Sequence, residues 1–220
     1  RPLRSSFERY GEVFVSLGVS FVPNFVSLYD EGVGDEGLYS ELTPPKSSGE
    51  RWIGVAPFAK HKGKIYPLDR MEKVVSKLSE ESRVKIFLFG SGDREREILS
   101  LWRERYPGVI SLADKRYGFA VELSLMSRLD VMISMDSANM HLASLVEVPV
   151  VSVWGATHPY CGFLGWRQSD SGVVELPLDC RPCSVFGNKP CYRKDYACLE
   201  IAPETIVDRV KSLETLIKEK

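Results

Sequence analysis

Asp136, Ser137 and His141 stand where an apolar run gives way to a helical pattern, and all three side chains could bind a polar ligand. Residues 130–134 have the apolar character of a buried strand, and residues 137–146 have helical periodicity. Residues four apart share one helix face, so Ser137 and His141 point toward the same end. A hydrolase triad fits poorly, since there is no Gly-x-Ser-x-Gly elbow and one helix turn cannot easily arrange it. We expect a polar pocket, with a plain helix N-cap at Asp136 or Ser137 as the alternative.

Basic residues are concentrated in the loop that follows the first predicted strand. This loop lies between the apolar run 52–57 and a helical pattern that begins near Leu68. The cluster is Lys60, His61, Lys62 and Lys64. Because free N–H groups and the positive end of the helix dipole attract anions, basic residues beside a helix N-terminus suit a phosphate. A solvated basic loop is the alternative.

A glycine-rich turn follows the second predicted strand. Gly90 and Gly92 come directly after the run 84–89 and would let a nucleotide approach the backbone closely. The spacing is not that of a GxGxxG fingerprint, so a simple tight turn is the alternative. In open α/β sheets, ligands bind beyond the carboxyl ends of the strands, which is where all three loops are expected.

Strand and helix patterns alternate after residue 50. The predicted strands are 52–57, 84–89, 109–112, 130–134 and 149–154, and the predicted helices are 68–78, 93–106, 119–129, 137–146 and 203–220. Short, continuous apolar strands that alternate with helices predict an α/β fold, with a parallel sheet covered by helices on both faces.

The first 50 residues have a different pattern. A helix is predicted over residues 6–17, and residues 19–50 are rich in Gly, Ser and Pro, with a short strand expected at Phe25–Leu28. Such a long connecting run is unusual inside a domain. We interpret residues 1–50 as an interdomain helix and linker, the remnant of a missing N-terminal domain. The first methionine is Met71, so we expect part of the protein to precede Arg1.

Composition excludes several classes of protein. The 220 residues carry a net charge of −1 and are 44% hydrophobic, which excludes wholesale disorder and any bulk attraction to nucleic acid or anionic lipid. The least polar stretch, residues 131–154, contains Asp136 and Glu147. These charges would be costly in a bilayer, so we interpret the stretch as a buried β-α-β unit.

Four cysteines cluster near the end of the chain. Cys180, Cys183, Cys191 and Cys198 form a C-x2-C-x7-C-x6-C pattern. Four thiolates can close a tetrahedral zinc site, but the second pair lacks the short spacing of a zinc ribbon. Free or buried thiols, and a disulfide, are the alternatives. The first residues do not have the pattern of a secretory signal, which favours a cytoplasmic, reducing environment.

Three motifs resemble those of one family. Lys64-Ile-Tyr-Pro67 is similar to Lys-x-Trp-Pro, and Asp136-Ser-Ala-x-x-His141-Leu-Ala is similar to Asp-Ser/Thr-Gly-x-x-His-Leu-Ala. Residues 148–159 resemble the strand and Gly-Pro-Thr-x-Pro loop that follow. From about Trp52 to Val210, the chain resembles the C-terminal half of the bacterial heptosyltransferases, glycosyltransferase family 9. Order and spacing agree, so the three motifs together are far more specific than any one of them.

The resemblance implies one half of a GT-B glycosyltransferase, in which two Rossmann-like domains enclose the active site. Residues 51–220 would be the nucleotide-sugar-binding domain, with a Cys-rich loop at 180–198. The implied donor is ADP-heptose and the implied acceptor is the lipopolysaccharide core, with peripheral membrane contact at most, at the inner face of the cytoplasmic membrane. The family inverts the anomeric carbon and requires no metal. Its general base is expected in the missing N-terminal domain, so no catalytic residue is assigned here and the fragment alone is expected to be inactive.

The resemblance also implies roles for single residues. Lys64 would bind the donor phosphate, and Asp136 and His141 would contact the sugar or its phosphate. The full donor-binding set is Lys60, Lys64, Gly90, Asp136, Ser137, Ala138, Asn139 and His141, in which the amides of Ser137, Ala138 and Asn139 receive the pyrophosphate. Two residues depart from the family pattern. Ala138 replaces a glycine and would be strained at positive φ, and Tyr66 replaces a tryptophan as the expected aromatic wall of the pocket.

Two other functions remain open at this point. One is a sugar-nucleotide epimerase on the same scaffold. The other is a non-catalytic, zinc-stabilised interaction module, which predicts stoichiometric zinc and no affinity for nucleotides.

Overall fold

Six strands alternate with helices in the part of the chain that the structure describes, which confirms the α/β prediction. In the computed structural model, residues 2–218 are described, with side chains to residue 215. The strands are Arg51–Ala56 (β1), Val84–Leu88 (β2), Val109–Ser111 (β3), Val131–Met135 (β4), Val150–Trp154 (β5) and Val173–Glu175 (β6). The helices are Ser6–Ser16 (α1), Leu68–Ser79 (α2), Asp93–Arg105 (α3), Phe119–Met126 (α4), Ala138–Leu145 (α5) and Pro203–Lys218 (α6). The predicted end of the last helix, at 219–220, lies outside the described residues.

The order of the strands places a crevice at the centre of the sheet. All pairs are parallel, and the order is β3-β2-β1-β4-β5-β6. The chain runs outward from β1 to β3 and then returns to place β4 on the other side of β1. Loops that follow β1 and β4 therefore diverge, and ligands of doubly wound sheets bind in the crevice between them.

Two hydrophobic cores, one on each face of the sheet, hold the helices. Helices α2, α3 and α6 cover one face and bury side chains such as Val74, Leu99 and Ile206. Helices α4 and α5 cover the other face, where Leu125 and Met140 are buried. Burial on both faces explains why the strands are continuous apolar runs.

Residues 2–50 contain no strand, so the prediction at Phe25–Leu28 is wrong. The Phe25 carbonyl accepts a hydrogen bond from the Trp166 indole, and the Leu28 amide donates to the Leu145 carbonyl. These single bonds to loops and to the end of α5 give no ladder. Helix α1 buries none of its residues. In contrast, Tyr39 is buried in the core beside Trp52, so part of the segment packs against the sheet. The boundary at residue 50 stays a prediction.

Strand β6 was not predicted from the sequence. It has three residues, and only Val174 is buried. So short an edge strand has too few apolar positions to produce a recognisable pattern.

Candidate functional site

A cavity of about 760 Å³ opens at the carboxyl ends of β1, β2 and β4. Its volume is in the range of small-molecule sites in proteins. The residues lining it include every predicted donor-binding residue, namely Lys60, Lys64, Gly90, Asp136, Ser137, Ala138, Asn139 and His141. The structure therefore brings together the three loops that the sequence singled out.

Lys64 and Asp136 form an ion pair at one end of the cavity. The Lys64 Nζ lies 2.9 Å from Asp136 Oδ2, with side chains only 15% and 8% exposed. The Thr157 hydroxyl donates to the same carboxylate oxygen at 2.7 Å. Lys64 follows β1, Asp136 follows β4 and Thr157 follows β5, so three neighbouring strand ends fix one ammonium group.

The loop that carries Lys64 is held against the loop after β5. The Ala156 amide donates to the Gly63 carbonyl at 2.7 Å, and the Lys64 amide donates to the His61 carbonyl at 2.9 Å. A Cβ at Gly155 would lie 2.3 Å from the Gly63 oxygen, which is well inside van der Waals contact. Only glycine therefore lets these two loops approach so closely.

Substitution of Gly155 by alanine is expected to push the Lys64 loop away from β5. Overpacking of this kind costs about 1–3 kcal/mol of stability, which urea unfolding would measure. Gly11→Ala is a matched control, because the nearest atom to its Cβ is 4.0 Å away, on Phe21. Equal stability of the Gly155→Ala protein and wild type would contradict the expectation.

Helix α5 begins at the floor of the cavity. Ser137 is its N-cap, with an extended backbone, but the Ser137 side chain makes no capping hydrogen bond. Instead, its hydroxyl lies 3.3 Å from the Ser134 hydroxyl. The first amides of α5 are thus not capped by this side chain, and a helix N-terminus in this state suits an anion.

A family model described as glycosyltransferase family 9 (heptosyltransferase) matches residues 35–191. The chain belongs to glycosyltransferase family 9. It is 25% identical over 172 residues to lipooligosaccharide heptosyltransferase 2 of Campylobacter jejuni, covering 76% of this chain and 53% of that protein. The chain thus spans about half the length of this curated relative.

Solved structures of family 9 share the fold. The family 9 glycosyltransferase from Veillonella parvula aligns with a TM-score of 0.73 and 18% identity, over 96% of this chain and 60% of that one. E. coli ADP-heptose LPS heptosyltransferase II aligns with a TM-score of 0.63 and 20% identity, over 84% and 53%. The chain therefore has the Rossmann-like fold of one half of a GT-B enzyme.

The two departures from the family 9 pattern have different consequences. Ala138 is the first residue of α5 and does not have positive φ, so the alanine is not strained there. Tyr66 is fully buried outside the main cavity, and its hydroxyl donates to the Ile201 carbonyl at 2.7 Å. Burial raises the pKa of Tyr66 to about 12. Tyr66 thus anchors the end of the Lys64 loop. It lines a second pocket that shares Lys60 with the main cavity, so its role as an aromatic wall stays a prediction.

His141 lies half-buried along the cavity. Burial lowers its pKa, while Asp136 raises it and Lys64 lowers it further. Because the ordinary pKa of histidine is already below 7, the ring is neutral at neutral pH. A neutral imidazole has one donor and one acceptor nitrogen, so it can hydrogen-bond to a sugar hydroxyl or a phosphate oxygen.

The four clustered cysteines do not form a metal site in this conformation. All are free thiols, with Cys191 and Cys198 buried. Within residues 2–218, no three Cys, His, Asp or Glu side chains are placed to hold a metal ion. Burial raises the pKa of the Cys198 thiol to about 11, and the neighbouring cysteines raise it too. The cysteine sulfur atoms are thus not gathered around one point among the described residues, and the zinc site stays a prediction.

Sequence reasoning missed Thr157 and Arg181 as parts of the site. Thr157 belongs to the loop after β5 that resembles the family motif. Because β5 is the neighbour of β4, this motif could have predicted that Thr157 lies close to Asp136. The buried Arg181 guanidinium donates to Gly155, Thr157 and other backbone carbonyls beneath the cavity. Backbone acceptors leave no sequence pattern, so the burial of this arginine was not predictable from the sequence.

Proposed function

We propose that this chain is the donor-binding domain of an inverting glycosyltransferase that transfers a sugar from a nucleoside diphosphate to a lipopolysaccharide core acceptor. The observation that carries this is the Lys64 ammonium held beside the N-terminus of α5. The name of the E. coli relative supports ADP-heptose as the donor. Family membership favours this function over an epimerase or an interaction module.

In the proposed mechanism, the donor diphosphate lies between Lys64 and the first amides of α5, at Ser137, Ala138 and Asn139. An ammonium group has three donors, so Lys64 can keep its bond to Asp136 while it binds a phosphate oxygen. An acceptor hydroxyl attacks the anomeric carbon, and the nucleoside diphosphate leaves from the opposite face. The charge that develops on the leaving group is stabilised by donors already in place.

The general base that accepts the proton of the acceptor hydroxyl is proposed to lie outside this chain, in the partner domain of the GT-B fold. Asp136 is unsuited to that task, because its Oδ2 already accepts bonds from Lys64 and Thr157. We also propose that no metal cofactor is required, since a lysine and a helix N-terminus supply the positive charge for the diphosphate.

Isothermal titration calorimetry with ADP, GDP and UDP tests the proposal. The 220-residue chain is expected to bind at least one of them weakly and to transfer no sugar by itself. An absence of heat with all three nucleotides, together with stoichiometric zinc, would instead support an interaction module.

A structural metal in the Cys-rich loop stays a prediction from the sequence. Four thiolate ligands favour zinc, and their sulfur atoms would have to converge on one point to enclose the ion. The check is elemental analysis of protein purified under reducing conditions. One zinc per chain, lost in Cys180→Ser and retained in Cys161→Ser, is the expected result. Metal-free protein of undiminished stability would overturn it.

We also propose a cytoplasmic location with peripheral contact at the inner face of the cytoplasmic membrane, because a lipopolysaccharide precursor is a lipid-linked acceptor. Among residues 2–218, no helix has the length and apolar character to span a bilayer.

A further inference from the structure

A carboxylate without a partner faces the same cavity, away from the ion pair of Lys64. Glu122 lies on the first turn of α4 and is half-buried, and within the described chain its side chain has no hydrogen bond or ion pair. The other glutamate of the cavity, Glu95, already accepts a hydrogen bond from the Ser91 amide at 2.8 Å. Glu122 is thus the carboxylate of the cavity that is available to a ligand.

Glu122 is partly shielded from water and has no hydrogen-bond donor or cation beside it within the described chain. Burial raises the pKa of Glu122, and no neighbouring cation acts on it in the opposite direction. A half-buried carboxylate that has lost water without gaining a partner is unfavourable. A ligand that supplies an N–H or O–H group would remove this penalty.

An aromatic ring accompanies this carboxylate. Phe119 is 66% exposed and also lines the cavity. Because it precedes Glu122 by three residues on α4, the two side chains lie on one helix face. A ring that stacks beside a carboxylate that accepts hydrogen bonds suits a planar nucleobase, since bases are read by stacking and by their edges. A ribose could use the carboxylate but not the ring.

We propose that Phe119 and Glu122 recognise the base of the donor and select a base with an exocyclic amino group, such as adenine or guanine, over uracil. The proposal rests on the proposed function, in which the diphosphate lies at Lys64 and Ser137. The amino group of adenine or guanine donates to the carboxylate, whereas the O2 and O4 atoms of uracil present lone pairs to it. The cavity is large enough to hold a nucleoside beyond a diphosphate.

The test compares the affinities of ADP, GDP and UDP for wild type and for Glu122→Gln, by calorimetry on the 220-residue chain. Wild type is expected to bind ADP or GDP at least about tenfold more tightly than UDP, the usual effect of one hydrogen bond to a charged group. Glutamine can donate an N–H group to a uracil oxygen, so Glu122→Gln is expected to raise the affinity for UDP until it is close to the affinity for ADP. Inorganic pyrophosphate should bind both proteins equally.

Glu97→Gln is the matched control, because Glu97 is exposed on α3, away from the cavity. It removes the same charge and should preserve the preference of wild type. Phe119→Ala should lower the affinity for all three nucleotides about fivefold or more, since an aromatic ring stacks on any base.

The outcomes separate the two proposals. If nucleotides bind through Lys64 but wild type shows no preference, or Glu122→Gln keeps the preference, base selection by Glu122 is overturned and the donor site stands. If neither nucleotides nor pyrophosphate bind, both fall.

Discussion

Replacement of Lys64 by alanine is expected to weaken ADP binding by about one to two orders of magnitude, the effect of a lost charge-assisted hydrogen bond. The ammonium is fixed by Asp136 and Thr157, so it is in position before the diphosphate arrives. Lys64 therefore loses little side-chain entropy when the diphosphate binds, so its contact contributes more to affinity than one from a mobile surface lysine. Calorimetry with ADP measures the change.

Two further variants make this result interpretable. Lys64→Ala leaves Asp136 buried without its cation, which destabilises the fold by itself. The double variant Lys64→Ala with Asp136→Asn removes both charges and should remain folded, as thermal unfolding would verify. Lys62→Ala is the matched control, since Lys62 is in the same loop but lies over the Tyr196 ring and outside the cavity. If the folded double variant binds ADP as tightly as wild type does, Lys64 does not bind the diphosphate.

Replacement of Arg181 by alanine is expected to have the largest effect on stability. The side chain is 1% exposed and pairs with Glu175 at 2.8 Å. Its guanidinium also donates to the carbonyls of Trp154, Gly155, Thr157 and Leu176. Removal takes the guanidinium away from these four carbonyls and leaves Glu175 with His158 as its remaining partner, for a loss of about 3–5 kcal/mol. For a domain of this size, the melting temperature should fall by roughly 10 °C.

Two substitutions calibrate the Arg181 result. Arg181→Lys keeps the charge but lacks the planar fork, so it should recover little of the loss. Arg193→Ala breaks an exposed pair with Asp195, whose partners are 44% and 45% exposed. Such pairs contribute about 1 kcal/mol or less. If Arg181→Ala and Arg193→Ala melt at the same temperature, the buried network does not stabilise the loop.

The central strands and the residues at their ends were predictable because they leave local patterns. Strands such as β4 are buried on both faces, so each is a continuous apolar run. Polar residues that follow such runs, Lys64 and Asp136 among them, must converge where the strand order reverses. The cavity therefore follows from periodicity and from one rule of topology, although the donor roles of its residues stay predictions.

Contacts between distant parts of the chain were beyond reach of the sequence. The bond from the Tyr66 hydroxyl to the Ile201 carbonyl joins residues that share no local pattern. Arg181 stands beside a cysteine in a loop, and its partners are mostly backbone carbonyls, which every residue has. Four cysteines at suggestive spacings predicted a metal site, but spacing alone does not orient four sulfur atoms toward one point.

The position of β1 between β2 and β4 has a consequence for synthesis on the ribosome. Strand β2 is made soon after β1, whereas β4 follows only after two further helices and β3. Until β4 emerges, one edge of β1 is open and could pair with another nascent chain. Lys64 has no Asp136 to meet during that interval. The binding site can thus assemble only after β4 has emerged, and a chain cut short before β4 would carry the basic loop without its acidic partner.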